Sequence, residues 1–302
     1  MSEPAAGFAR SRAAAFAWVV VAYAVAGLVA ALVANACGGA PTWVIVAAAD
    51  GAATVAVFVF SRIFDNSSFY DPYWSVAPMV IAPALALGAA APGVPLARQI
   101  LVIVLVLVWG ARLTHNWARS WRGLGHEDWR YVDLRRTMGR AYWLVSLLGL
   151  HAMPTLSVLL GCLALLPALC TGTRPLGALD ALALVITAGA IGIEATADEQ
   201  LRTFRHKNAV PGRIMASGLW GRCRHPNYLG EIGFWWGLYG FALAADPAAW
   251  WAVAGPLFIT GLFVFISIPL IDRRSLARRP GYVEHIARVP ALVPRLFTRP
   301  ER

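Results

Sequence analysis

Lysine is almost missing from this chain: Lys207 is the only one among 26 basic residues, so arginine carries nearly all the positive charge. Charge of either sign is scarce, at 14% of 302 residues against roughly 25% in soluble domains, while 59% are hydrophobic. That balance excludes an ordinary soluble domain and leaves a bilayer protein. The four cysteines (Cys37, Cys162, Cys170, Cys223) show no CxxC spacing, and only Cys223 has a histidine nearby. Neither a disulfide framework nor a metal site is expected from them. No Gly-x-Gly-x-x-Gly follows a strand-like run, which excludes the soluble dinucleotide-binding fold. Internal repeats and linkers are also lacking, so one domain is expected over 1–302.

What is present is a series of apolar runs of the length a helix needs to cross about 30 Å of hydrocarbon. Eight can be drawn: Ala14–Ala36, Thr42–Phe60, Trp74–Ala91, Ile100–Trp117, Tyr142–Leu169, Leu176–Ala197, Tyr228–Ala245 and Ala249–Ile271. An all-α integral membrane bundle of seven to eight transmembrane helices is expected, the seventh run being short. Twenty of the basic residues lie in three stretches: six in Ala118–Tyr142, six in Asp198–Asn227 and eight in Asp272–Arg302. The alternate connections hold only Arg98 and Arg174. A net charge of +10 distributed in this way is topogenic and argues against nucleic acid as a partner. It places the basic stretches and both termini in the cytoplasm.

Polar side chains at membrane depth are expensive, so each is a candidate for function. Most gather at the span ends that face the basic stretches. Asp50 stands alone inside the second run and is expected to pair with a neighbouring helix. The densest constellation is Arg222-Cys-Arg-His-Pro-Asn-Tyr-Leu-Gly-Glu231. Pro226 suits the first turn of a helix, which puts Asn227 and Glu231 on one face with Gly230 beside them. Glu194, Asp198, Arg202 and Arg205 form a stripe on the sixth helix, where acid and arginine four apart would also simply support the helix. Arginines recur as Arg119/Arg122, Arg202/Arg205, Arg222/Arg224 and Arg273/Arg274. A planar guanidinium fork suits phosphate, although codon bias would enrich arginine too.

The segments Glu194-Ala-Thr-Ala-Asp-Glu-Gln-Leu-Arg-Thr-Phe-Arg205, Gly218-Leu-Trp, Asn227-Tyr-Leu-Gly-Glu231, and Arg274 followed by Gly281-Tyr-Val, resemble the steroid 5α-reductases and their bacterial relatives over about the last 110 residues. The resemblance implies NADPH as cofactor and reduction of the carbon–carbon double bond of a 3-oxo-Δ4 steroid or related enone lipid. It further implies a monomer in a bacterial inner membrane with the cofactor site facing the cytoplasm. Carried over residue by residue, the cofactor set is Arg112, Arg119, Arg122, Asp198, Arg202, Arg205, Arg224, His225, Asn227, Tyr228, Glu231, Arg274 and Tyr282. Residues 191–302 would hold the cofactor and 14–190 the substrate.

Asp71, in Tyr70-Asp71-Pro-Tyr73-Trp74, falls where the family has the acid that binds the substrate ketone. Its expected helpers are Tyr70, Tyr73 or His115. A simpler role for Asp71 is the N-cap of the third helix. The pattern departs from the family at Glu194 and Gly212, and Trp109 stands closest to the place of a partner tyrosine. Two alternatives remain open. An isoprenylcysteine-type methyltransferase using S-adenosylmethionine carries a similar Arg-His-Pro-x-Tyr-x-Gly-Glu segment, and a small transporter would use Asp50, Asp71 and Asp272 as coupling acids.

Overall fold

A chain with no water around its backbone must satisfy its N–H and C=O groups internally, and uncharged apolar runs do this as helices. The computed structural model describes residues 11–207 and 212–294, all helix or loop with no strand among them. Residues 208–211 within the second basic stretch, the end of the third, and the N-terminal tail fall outside the described residues. The helices are α1 (Arg12–Ala36), α2 (Thr42–Ile63), α3 (Tyr73–Gly88), α4 (Leu96–Ser120), α5 (Trp129–Met138), α6 (Tyr142–Val145), α7 (Met153–Cys162), α8 (Ala178–Lys207), α9 (Pro226–Ala245), α10 (Ala254–Leu262), α11 (Ile268–Arg278) and α12 (Tyr282–Arg288).

Six helical stretches are long and apolar enough to cross a membrane: α1, α2, α4, the run Trp129–Thr171, α8 and the run Pro247–Arg278. The runs Trp129–Thr171 and Pro247–Arg278 carry π-helical turns at Ser146–Ala152, Leu166–Thr171 and Phe263–Ser267. Pro154, Pro167 and Pro269 lie in or directly after these turns. Each lacks an N–H to donate, and a widened turn accommodates that loss.

All eight apolar runs are helical. α3 and α9 are not among the six long apolar stretches, yet each joins the two ends of the bundle. At the start of α3, Asp71 is bonded to Tyr131 of the first basic stretch, and beyond its end Ala91 N–H donates to Cys170 C=O at 2.7 Å. α9 starts at Pro226, as its proline predicts, against the C-terminal segment, where Arg224 N–H donates to Pro290 C=O at 2.9 Å. Its far end packs Ala245 against Gly172.

The core between these helices is aromatic, with Trp109 stacked on Phe234 at 4.4 Å and Trp235 set edge-on. α8 and α9 meet along a seam of small residues. Gly230, Gly233, Gly237 and Gly240 face Glu194, Ala190, Thr187 and Ala183. A Cβ at Gly230 would lie 2.6 Å from that of Glu194, so only glycine lets the two backbones approach, the packing that membrane helices use in place of a hydrophobic drive. Gly230 therefore serves the helix seam.

Candidate functional site at the arginine-rich end

Asp71 sits between α2 and α3. It does not cap α3: that helix begins after Pro72 with no side-chain cap, and the Asp71 carboxylate instead accepts from Tyr131 OH at 2.6 Å. Burial pushes the Asp71 carboxyl up to about 6, against the opposing pull of the Tyr131 hydrogen bond and the Arg130 charge. The helpers expected from sequence lie elsewhere. Tyr70 OH pairs with Thr155 Oγ1 at 2.6 Å, Tyr73 OH donates to Asp50 Oδ1 at 2.7 Å, and His115 is exposed. The hydrogen-bond partner of Asp71 comes instead from α5, sixty residues on. Trp109, closest to the family's partner position, donates to Glu231 and not to Asp71.

Arg112, Glu194, Asp198 and Glu231 form one largely buried cluster. Arg112 reaches Asp198 at 2.8 Å and Glu194 at 2.6 Å, and Asn116 Nδ2 donates to Asp198 at 3.1 Å. Behind them Glu231 accepts from Trp109 Nε1 at 3.0 Å and Trp235 Nε1 at 2.8 Å. The expected pairing of acid and arginine four apart on α8 does not form. Glu194 and Asp198 turn inward, and Arg202 pairs with its surface neighbour Glu199.

Arg224, His225 and Tyr282 converge on one carboxylate. Arg224 meets Asp272 Oδ2 at 2.9 Å, while His225 Nε2 and Tyr282 OH meet Oδ1 at 3.1 and 2.8 Å. His225 N–H also donates to Ala291 C=O at 3.1 Å, so the clamp ties α9, α11 and α12 together. The polar tips of these three residues are engaged within the protein, with Asp272 the member that sequence reading placed only among possible coupling acids. The signal available in sequence was the lone acid at the head of Asp272-Arg-Arg.

The remaining candidates are differently placed. Asn227 and Tyr228 are half-buried at the start of α9; the Asn227 amide has no hydrogen-bond partner among the described residues, and Tyr228 stacks on His225 at 5.3 Å. Arg205 faces the like charge of Arg279, and Asp198 is the carboxylate that offsets it. Arg274 lies over the Trp129 ring at 3.5 Å and 3.6 Å from Asp133, Arg119 is 3.4 Å from Glu199, and Arg122 is exposed. A half-buried amide at the start of α9 and like-charged guanidinium groups on Arg205 and Arg279 are groups that carboxamide and phosphate ligands can satisfy. A groove of about 690 Å³ on the other side of α8, lined by Thr196, Glu199, Gln200, Thr203 and Lys207, has one cation balanced by one anion and lacks that character.

The chain is 28% identical over 253 residues to an uncharacterized protein of Schizosaccharomyces pombe, covering 76% of this chain and 73% of that one. No solved structure matches. The model of the family described as "Protein of unknown function (DUF1295)" matches residues 57–289, from the middle of α2 to the end of α12, and the chain belongs to that family.

Proposed function

We propose that this protein is an NADPH-dependent membrane reductase of the steroid 5α-reductase type, acting on the double bond of a 3-oxo-Δ4 steroid or a related enone lipid. The observation that carries the reading is the Asp71–Tyr131 pair: a half-buried carboxyl held up to about 6 and hydrogen-bonded to a tyrosine, at the same end of the bundle as the surplus arginines. The DUF1295 family is associated with membrane proteins of this type, which adds to it. We further propose that α3 and α9 cross the bilayer together with the six longer stretches. The arginine-rich end then faces the cytoplasm of a bacterial inner membrane and both termini lie on that side.

An α,β-unsaturated ketone accepts hydride at its β-carbon when the charge growing on its oxygen is stabilised. When bound, NADPH supplies that hydride. Asp71, neutral near and below pH 6, donates a hydrogen bond to the ketone oxygen, and Tyr131 holds its other oxygen and so its orientation. Asn227 binds the carboxamide, while Arg205 with Arg279, and Arg119, Arg122 and Arg274, bind phosphates. Arg112, Asp198 and Glu231 position these groups from behind. S-adenosylmethionine has no phosphate, so the methyltransferase alternative leaves the arginine surplus unused.

In protein reconstituted with progesterone and NADPH, Asp71→Leu is expected to lower turnover about a hundredfold, the scale for loss of one oxyanion donor, with NADPH affinity kept. Asp71→Asn, which can still donate, should retain more activity. Wild-type turnover in Asp71→Leu overturns the catalytic assignment, and absence of NADPH binding to the wild type overturns the reductase reading.

A further inference from the structure

In a bilayer, α8 is longer than its crossing requires. Its 30 residues rise about 45 Å, against about 30 Å of hydrocarbon, so its last turns stand among the lipid headgroups. Glu194 and Asp198 occupy the inner side of those turns. On the outer side Thr196, Glu199, Thr203 and Lys207, spaced by three, four and four, share one face and wall the groove of about 690 Å³. Met215, Ser217 and Gly218 form the opposite wall. Leu219 N–H donates to Gln200 Oε1 at 3.0 Å and Trp220 Nε1 to Ala197 C=O at 2.9 Å, which fixes that wall to the helix. The approach needs glycine at 218: its φ is +60°, and a Cβ there would stand 2.6 Å from Gln200 Oε1. The groove is a built feature of the fold. Because Oε1 is engaged, what Gln200 offers the groove is its Nε2–H2 group, which donates to no other described residue.

Lys207 and Glu199 offset each other in number but not in space. Arg202 Nε donates to Glu199 Oε2 at 2.8 Å and Arg119 stands 3.4 Å from the same oxygen, whereas no carboxylate of the described residues lies within ion-pair distance of Lys207. The carboxylate is already answered from outside the groove, and the cation left over lines it. Towards the hydrocarbon the same face of α8 continues as Gly192, Gly189 and Val185, at steps of four, three and four from Thr196, and all three are exposed. Nothing stands within 4 Å of a Cβ at either glycine, so this is a smooth apolar strip that opens into the groove at its headgroup end.

We infer that the groove seats the headgroup of an anionic phospholipid such as phosphatidylglycerol, whose phosphodiester oxygens accept from Lys207 and Gln200 Nε2 while one acyl chain lies along Gly192, Gly189 and Val185. Phosphatidylethanolamine would bring an ammonium group to a groove whose carboxylate is held by two arginines. A soluble phosphate would use the same donors but would leave the adjoining apolar strip unused, and the continuity of strip and groove selects the lipid. The site does not depend on the reductase reading, since binding is its readout.

The test uses the full-length protein in phosphatidylcholine nanodiscs with phosphatidylglycerol and phosphatidylethanolamine probes that carry the same diazirine in one acyl chain. The phosphatidylglycerol probe should label the outer face of α8 at least about tenfold more strongly than the ethanolamine probe, the lower end of the scale for a hydrogen bond to a charged group. Lys207→Ala, a substitution at an exposed site, should bring the two probes level. Gly192→Leu, where an added side chain meets open space and the helix is kept, should lower α8 labelling by the phosphatidylglycerol probe severalfold by obstructing the strip. Equal labelling of α8 by both probes in the wild type overturns the headgroup assignment, and an undiminished preference in Lys207→Ala overturns the site. Displacement of the probe by millimolar inorganic phosphate would make the ligand a soluble phosphate and overturn the lipid.

Discussion

Two ion-paired arginines on α4, one fully buried and one partly so, occupy opposite ends of the bundle and solve the same problem differently. Arg98, at the arginine-poor end, is fully buried, and its fork is closed: Nε and Nη2 meet Asp180 at 2.7 and 3.1 Å, and Arg174 and Pro175 carbonyls accept from Nη1 and Nη2 at 2.9 and 3.3 Å. One cation meets one anion, and all three guanidinium nitrogens donate. Arg112, at the arginine-rich end, faces Glu194 and Asp198 with Glu231 behind them, and its Nε has no hydrogen-bond partner. Two carboxyl groups share this guanidinium, with a third behind them held by indole N–H groups. A closed pair is what a structural tie requires, whereas an unbalanced cluster beside an open amide and exposed arginines is what a ligand site requires.

Breaking the closed pair should produce the largest effect, and on stability alone. Arg98→Ala leaves Asp180 buried without its cation, a change that costs about 3–5 kcal/mol. Thermal unfolding in detergent should show a large drop, with turnover per folded molecule unchanged. A loss of turnover in the folded fraction would erase the contrast between the two ends.

At the open end the effect should fall on binding. Asn227→Ala is expected to weaken NADPH about thirtyfold, or about 2 kcal/mol, by fluorescence titration, and Arg274→Ala to a similar degree. Unchanged affinity in both variants would remove the nicotinamide dinucleotide from the site.

Acidity offers a finer probe. With its pKa raised from 3.8 to about 6, Asp71 is favoured in its neutral form by the fold. Its contribution to stability is therefore complete below pH 4, declines as pH rises towards 6, and is flat above. Turnover that depends on the neutral acid should fall about tenfold per pH unit above 6. Asp71→Asn should abolish this limb, and a limb that persists in it belongs to another group.

The smallest effect is expected at Arg202. It pairs with Glu199 on the surface three residues away, so Arg202→Ala should leave the melting temperature unchanged within error. A clear fall in NADPH affinity in that variant would instead return Arg202 to the phosphate-binding group.

Much of this was legible in the chain. The eight helical runs follow from hydrophobic length, the start of α9 from Pro226, and the partner helix for Asp50 from the cost of an isolated carboxyl in hydrocarbon. The readings that did not hold were those that chose partners by closeness in sequence. Asp198 is four residues from Arg202 and pairs with Arg112, and the Asp71 carboxylate, flanked by Tyr70 and Tyr73, takes its hydrogen bond from Tyr131. The Gly230-x-x-Gly233-x-x-x-Gly237-x-x-Gly240 spacing is a usable sign of the α8–α9 seam, of which only Gly230 enters the sequence reading, as the neighbour of Asn227 and Glu231.

Sequence by itself determined that this chain is helical, that it carries helices long and apolar enough to cross a bilayer, and that its arginines collect at one set of helix ends. Those properties depend on the length and composition of single segments, because hydrocarbon leaves a backbone few other choices. Only the tertiary structure decided which carboxyl meets which donor: Asp71 with Tyr131, Asp50 with Tyr73, Asp272 with Arg224, His225 and Tyr282, and Asp180 with Arg98. A hydrogen bond forms across a few ångströms of space between residues 10 to 82 positions apart, and no periodicity in a helix encodes which of its neighbours will stand there.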